Sequence, residues 1–316
     1  MILLQALHIL AALIHGTSCA LSIWLHTDTV TGKITLPHHT YHADSTASLK
    51  HLIVNETLSH ETVLYTNPMV WVAGNEGLTF FSHIIALGLM FLNPAMLDVF
   101  ERRRRTVEYC FTAGILQVAL VLGVGSITLC DVIWLIGVNI AIQLLGWLAD
   151  EHEEVRGWLL GIAFGLLSLE IFYVVLQSVN LNNIEAGPYI AMGVAYGIFY
   201  ILFGVVKLIP AWEKDQNEIY VLMSVTSKVA LSWILIGNTF EGLKELGVKS
   251  EPFDHTFHDW RLIQIIISAV CGVILIGGIT AITRRNGANN SRSDTVEGNQ
   301  MRRMRKKFNY KEVTHF

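Results

Sequence analysis

The chain is predicted to be an all-α membrane protein, with a bundle of seven helices followed by an eighth, C-terminal transmembrane helix. Three observations predict this fold class. Mean hydropathy is +0.47, with 52% hydrophobic and 15% charged residues, which is typical of an integral membrane protein. Apolar stretches long enough to cross a bilayer recur along the 316 residues. The main polar interruption, 27–71, separates the first two stretches.

Eight spans are predicted, and each has about 20 residues or more, enough to cross a hydrocarbon core about 30 Å thick. The first span lacks a preceding basic segment and is interpreted as a retained helix. The spans lie near 2–25, 72–93, 98–126, 130–149, 157–180, 187–211, 217–241 and 260–283. They divide the chain into a seven-helix domain, 1–245, a linker with the extra helix, 246–283, and a basic disordered cytoplasmic tail, 284–316.

The polar segment 27–71 contains threonine-rich and β-branched stretches. Residues 29–35 and 62–65 are predicted to pair as a short β-hairpin in this loop. The four cysteines are scattered through apolar stretches without paired spacing. We therefore expect neither a disulfide framework nor a metal site, and no nucleic-acid partner.

Basic residues predict the orientation in the membrane. Four arginines, Arg102–Arg105, follow the second span, and Arg284 and Arg285 open a basic tail after the eighth. Lysine and arginine in short loops mark the cytoplasmic side. With eight spans, this rule predicts a cytoplasmic N-terminus and tail, and an extracellular loop 27–71.

Lys228 lies in the middle of the seventh apolar stretch. A lysine at this depth costs at least about 2.5–3.5 kcal/mol, which points to a function. A neutral primary amine condenses with an aldehyde to form a Schiff base, so this lysine is what a retinal protein needs. The alternatives are a packing ion pair or snorkelling, although about 16 Å of depth disfavours snorkelling.

Glu108 on the third span is the candidate counterion for a cation at Lys228. Arg105 lies three residues earlier, on the same helix face, and would keep this carboxylate ionised. The alternative is that Glu108 only pairs with Arg104 or Arg105 at a helix end.

Other titratable residues also fall within spans. His15 and His83 could accept a proton near neutral pH, or could each bond a neighbouring carbonyl. Glu170, in the middle of the fifth span, indicates a proton route or a partner contact, or is protonated and hydrogen-bonded. His8 is expected to be structural, and Lys207 to snorkel.

Two motifs carry a family resemblance. The stretch Ser224-Val-Thr-Ser-Lys228, with Trp233 after it, resembles the Ser-x-x-x-Lys segment of the heliorhodopsins, which are retinal proteins of inverted topology. The stretch Arg105-Thr-Val-Glu108-Tyr109 is similar to the Arg-Trp-x-Glu-Tyr of that family, with Thr106 in place of tryptophan.

The resemblance covers about 1–245 and includes the long first loop. His15, His83 and Asn139 fall where the family has two histidines and a fourth-helix asparagine. The chain departs from the family pattern at Ser18, where glutamine is usual, and in its eighth span, which could pack on the bundle or pair protomers.

The resemblance implies a rhodopsin-like bundle in which Lys228 carries all-trans retinal, Glu108 is the counterion and Ser224 tunes the site. It also implies that His15 and His83 line a polar cavity near the Schiff base. The other chromophore neighbours that it implies are Thr112, Leu116, Asn139, Gln143, Phe199 and Phe203.

The function expected from this resemblance is light absorption by a photoreceptor that is a homodimer in the bilayer and is not an enzyme, with no signalling partner identified. A second hypothesis is a light-gated proton channel or transporter that uses Glu108, Glu170, His15 and His83. A third, outside the rhodopsins, is a membrane enzyme or transporter with Lys228 in an ion pair.

Overall fold

A computed structural model describes residues 2–24, 32–43, 54–92, 97–124, 126–179, 187–209, 215–245 and 265–284. The predicted tail beyond 284 and most of the predicted linker lie outside these residues. Within them, eight helices are long and apolar enough to cross a membrane, so the protein is an integral, multi-pass membrane protein.

The helices follow the predicted order along the chain. A short 3-10 helix, Glu153–Val155, precedes the fifth. The helices are α1 (Ile2–Trp24), α2 (Pro68–Leu92), α3 (Leu97–Val124), α4 (Leu129–Glu151), α5 (Arg156–Val179), α6 (Gly187–Leu208), α7 (Gln216–Glu245) and α8 (Ile265–Arg284).

The second helix begins four residues before the start predicted from hydropathy. Asn67 caps it, because its side-chain oxygen accepts a 2.8 Å hydrogen bond from the backbone N–H of Met69. Pro68 occupies the first helical position, where a backbone N–H would have no partner within the helix, so none is lost. The predicted start at residue 72 was wrong because hydropathy does not register a polar cap followed by proline.

A three-stranded sheet is formed by segments that lie between helices. Strands β1 (Gly32–Ala43) and β2 (Val54–Thr66) pair antiparallel, with Gly32 opposite Thr66. Residues 44–53, between the two strands, lie outside the described part of the chain. A third strand, β3 (Ser126–Thr128), pairs parallel with β1 and joins α3 to α4. The sequence did not predict this third strand.

Helices α3 and α7 form the centre of the bundle, and they are the most deeply buried of the described helices. Leu116 and Leu120 of α3 pack with Leu231 and Leu235 of α7 in the main apolar core, which Tyr196 of α6 also joins. Dispersion and close packing hold such a core together in a bilayer, where lipid is as apolar as leucine. This arrangement places the middle of α7, and Lys228 with it, inside the protein.

Helix α8 packs on the outside of the bundle. Leu275 belongs to an apolar cluster with Leu222 of α7, and Cys271 to another with Leu4 of α1. Gly278 lies so close to Leu222 that an added Cβ would overlap its side chain, whereas an added Cβ at Gly272 meets nothing. Of the two interpretations of the eighth helix, the contacts favour packing against the bundle, with a glycine at the closest approach.

Candidate functional site

The Lys228 amine is buried at the centre of the bundle. Its Nζ donates hydrogen bonds to Oε1 of Glu108 at 2.7 Å and to Oγ1 of Thr79 at 2.8 Å. It also lies 5.0 Å from the centre of the Tyr109 ring. Lys228 is only 5% exposed, so the snorkelling alternative is wrong. Helices α2, α3 and α7 together position this amine.

Glu108 is held by partners on both of its oxygens. Oε1 faces Lys228, while Oε2 accepts hydrogen bonds from the Ser82 hydroxyl at 2.7 Å and from Arg104. Arg104 also binds both oxygens of Glu101, at 3.0 and 2.9 Å. The two interpretations of Glu108 are therefore compatible, because the same carboxylate pairs with the lysine and with an arginine.

The arginine that contacts Glu108 is Arg104 and not Arg105. Consecutive helical residues point about 100° apart, and the two adjacent arginines face different partners. Arg105 instead donates to Asn217 at 3.1 Å, and its guanidinium lies 3.9 Å from the centre of the Tyr220 ring. The predicted pairing of Arg105 with Glu108 is corrected accordingly.

Two buried cations and two buried carboxylates alternate through this site. The order of contact is Glu101, Arg104, Glu108 and Lys228. Buried charges are tolerated when each is paired and hydrogen-bonded, and breaking one such pair costs several kcal/mol. The lysine therefore sits at the end of a charge-balanced row whose members hold one another in place.

A cavity begins at Lys228 and extends between α3, α4, α5, α6 and α7. Its walls are mainly apolar and aromatic, with Tyr109, Leu167 and Leu231 among them, and Arg105 and Lys207 also line it. Four residues that the sequence suggested as chromophore neighbours line this cavity. They are Leu116, Asn139, Gln143 and Phe203.

Three other suggested neighbours lie close by but do not line the cavity. Thr112 is buried, and its hydroxyl bonds the backbone oxygen of Glu108 at 3.0 Å. Ser224 is buried one turn before Lys228, beside Tyr109. Phe199 packs against the apolar clusters of the bundle.

Three buried histidines form a group between α1 and α2. The Nδ1 of His8 lies 2.7 Å from the Nδ1 of His83, and the rings of His15 and His83 stack with their centres 5.7 Å apart. The Nε2 of His8 lies 3.5 Å from a carboxylate oxygen of Glu101. His8 is fully buried within this group.

Glu76 is the main site residue that sequence reasoning missed. It is fully buried on α2, where Oε2 lies 2.5 Å from Nδ1 of His15 and Oε1 accepts a 2.6 Å hydrogen bond from Ser232. A signal was available, because Glu76 and His83 are seven residues apart and so share a helix face. The late predicted start of the second span left Glu76 close to the expected membrane edge.

Glu170 is fully buried on α5 and lines the cavity. Its polar neighbours are the side chains of Gln117 and Tyr196, and it has no hydrogen bond to the three histidines. Lys207, also on the cavity wall, does not snorkel as predicted. Its amine donates to Asp150 at 2.6 Å and to the backbone oxygen of Gly146 at 2.8 Å.

Fold and site together define a class, namely a multi-pass membrane protein whose bundle encloses a primary amine paired with a carboxylate at the wall of an apolar cavity. The chain belongs to the heliorhodopsin family, whose family model matches residues 4–240. This is a family of retinal-based, light-sensing membrane rhodopsins and not of conventional enzymes. No curated protein sequence matches the chain. Helix α8 lies beyond the matched residues.

Proposed function

We propose that the protein is a photoreceptor in which Lys228 binds all-trans retinal as a Schiff base and Glu108 is the counterion. The observation that carries the proposal is the 2.7 Å contact between Nζ of Lys228 and Oε1 of Glu108, buried beside an apolar cavity. Retinal, when bound, supplies visible absorption and a light-driven isomerisation.

The residues present fit this group. Lys228 is a primary amine at the cavity wall, so an aldehyde can reach it from the apolar side. Aromatic and aliphatic side chains from five helices make up most of the remaining wall, as an apolar polyene requires. Polar residues interrupt the wall on several helices, with Asn139 and Gln143 on α4, Glu170 on α5 and Ser227 on α7.

The residues around the amine have distinct tasks. Ser82 and Arg104 fix Glu108, so a negative charge stays next to the nitrogen of Lys228. In the free amine, Thr79 on α2 is a second acceptor for that nitrogen. An imine nitrogen has one N–H, so a displacement that moves it away from Glu108 would change how α3 packs against α7. Such a shift between helices is a route by which a sensor signals.

A spectrum tests this proposal. Protein expressed with all-trans retinal should show a visible band, and Lys228→Ala and Lys228→Arg should both lack it. Arginine is the charge-matched control, because it keeps a cation in the site yet cannot form the imine. Colour in either variant contradicts the assignment of Lys228, whereas absence of colour in the wild-type protein contradicts retinal binding.

A second function, light-gated proton conduction, is supported by the buried histidines and carboxylates between α1, α2 and α3. Voltage clamp under a pH gradient distinguishes a conductor, which gives a photocurrent, from a sensor, which gives none. Glu170 remains a predicted member of a proton route on the cavity side. If it belongs to that route, Glu170→Gln should lower the photocurrent and keep the visible band.

We also propose a cytoplasmic N-terminus and C-terminal tail, and a homodimer. The orientation is supported by Arg102–Arg105 and by the basic residues after α8, which fall on one side of an eight-span protein. A C-terminal tag that is labelled from outside intact cells contradicts the orientation. The dimer is supported by the family resemblance, and a monomeric mass in mild detergent contradicts it.

A further inference from the structure

The inner face of α1 carries polar side chains along most of its length. His8, His15 and Ser22 recur at intervals of seven residues, and Ser18 lies between the last two. All four are at most 3% exposed. From His8 to Ser22 the helix rises about 21 Å, most of the thickness of a hydrocarbon core. A row of buried polar groups of this length is costly in a bilayer and indicates a function.

Helices α2 and α3 complete this row. Glu76 and His83 face His15 and His8, with contacts of 2.5 Å and 2.7 Å respectively. Glu101 lies 3.5 Å from the free side of His8, and it is the second residue of the span that begins at Phe100. The row therefore begins at one end of the transmembrane region of α3 and reaches the last turn of α1.

Four atoms of the row are buried without a hydrogen-bond partner among the described residues. These atoms are Nε2 of His8, of His15 and of His83, and Oγ of Ser18. The rings of His15 and His83 are stacked and nearly parallel, at 7°. Buried polar atoms that lack a protein partner are usually satisfied by water.

We propose that this row is the proton route of the protein, and that it runs beside Lys228 and the cavity without passing through either. This inference rests on the second function proposed above, light-gated proton conduction. We call the row the α1–α2 proton wire. In order from the end of α1 to the start of the α3 span, its members are Ser22, Ser18, Glu76, His15, His83, His8 and Glu101.

Each transfer along the wire conserves protons. An imidazole that takes a proton on one ring nitrogen releases one from the other, so it ends in its other neutral tautomer. Glu76 passes a proton to Nδ1 of His15, and Nε2 of His8 passes one to Glu101. Side-chain and ring rotation then restore the starting state. One proton enters and one leaves, so no other reactant is required.

Glu76 and Glu101, on either side of the histidines in the wire, both contact residues next to the proposed retinal site. Ser232, one turn after Lys228 on α7, donates a hydrogen bond to Glu76. Arg104 binds Glu101 and Glu108 at the same time. A shift of α7 against α2 and α3 would therefore move two members of the wire, and this coupling is how light could open it.

The test is a photocurrent measurement on the full chain with retinal, under a pH gradient as the only ion gradient. Glu76→Gln and His8→Gln should keep the visible band and reduce the current at least about tenfold, since each removes a proton relay. Glu76→Asp, which keeps a carboxylate, should retain more current than Glu76→Gln. His152→Gln is the matched control, because it removes an exposed histidine at the end of α4 and should leave the current unchanged.

A second readout does not depend on current. Light-induced infrared difference spectra of the purified protein should contain a carboxyl band that Glu76→Gln removes and His152→Gln keeps. The absence of any such band from Glu76 overturns the wire. If one variant forms no pigment, the other still tests the route, because Glu76 and His8 lie on different helices on either side of His15 and His83.

The remaining outcomes separate the wire from the function on which it rests. Wild-type current in both Glu76→Gln and His8→Gln overturns the wire and leaves conduction standing. Loss of current in Glu170→Gln with full current in Glu76→Gln assigns the route to the cavity. A pigment that gives no photocurrent at any gradient overturns conduction and the wire together, while the photoreceptor proposal stands.

Discussion

Ser232 donates a 2.6 Å hydrogen bond to Glu76, and both side chains are fully buried. Ser232 is one turn after Lys228, so this bond connects the helix that carries the lysine to α2. Glu76 in turn contacts His15 on α1. One hydroxyl thus joins the lysine helix to the histidine group.

Glu108→Gln should shift the visible band to the red and lower the pH at which the band disappears, by more than about one pH unit. The carboxylate lies 2.7 Å from the lysine nitrogen and stabilises a positive charge there. Without that negative charge the protonated Schiff base is less stable, so the Schiff base loses its proton at a lower pH. A pH titration followed by absorption measures the change.

Glu154→Gln is the control for this substitution, because it neutralises an exposed carboxylate in the short 3-10 helix. It should leave the titration as in the wild-type protein. If Glu108→Gln also behaves like wild type, Glu108 is not the counterion and the remaining buried carboxylates should be examined.

Arg104→Gln should destabilise the protein by about 3–5 kcal/mol. Arg104 is the cation that Glu101 and Glu108 share, and within the described part of the chain the substitution leaves Glu101 with no cationic partner other than a protonated His8. The fall in stability can be measured as earlier thermal loss of the visible band in detergent.

Arg103→Gln is the control for Arg104→Gln. It makes the same substitution at the adjacent residue, whose side chain is exposed. A substitution there should change stability by no more than about 0.5 kcal/mol. Equal effects at positions 103 and 104 would be inconsistent with the row of buried charges described for this site.

Gly278→Val should loosen α8 from the bundle and destabilise it by about 1–3 kcal/mol, because its side chain would overlap Leu222. Gly277→Val is the control, since an added Cβ at Gly277 meets nothing within 4 Å. Gly278→Val should be cleaved faster after α8 and should melt at a lower temperature than Gly277→Val. Identical behaviour would mean that α8 does not rest on α7 through this glycine.

The number of spans could be predicted from the sequence because hydropathy depends only on local composition. Lys228 and Glu108 could be singled out from the sequence, because an ionisable residue within an apolar stretch is conspicuous before any packing is known. The structure places their side chains 2.7 Å apart.

Features that depend on the rotation of one helix against another were not predictable. The choice between Arg104 and Arg105 depends on the rotation of α3 relative to α2 and α7, which neighbouring side chains set. The pairing of His8 with His83 likewise requires the relative depth of α1 and α2. Strand β3 was missed because three residues between two helices carry too little pattern to indicate pairing.

The parallel pairing of β1 with β3 has a mechanical consequence. β3 begins two residues after α3 ends at Val124, and Lys33 of β1 pairs with Ser126. A pull on the sheet from outside the bilayer is therefore applied almost directly to the end of α3, the helix that carries Glu108. An antibody or crosslink that restrains β1 and β2 would therefore also restrain the movement of α3, and with it the carboxylate of Glu108.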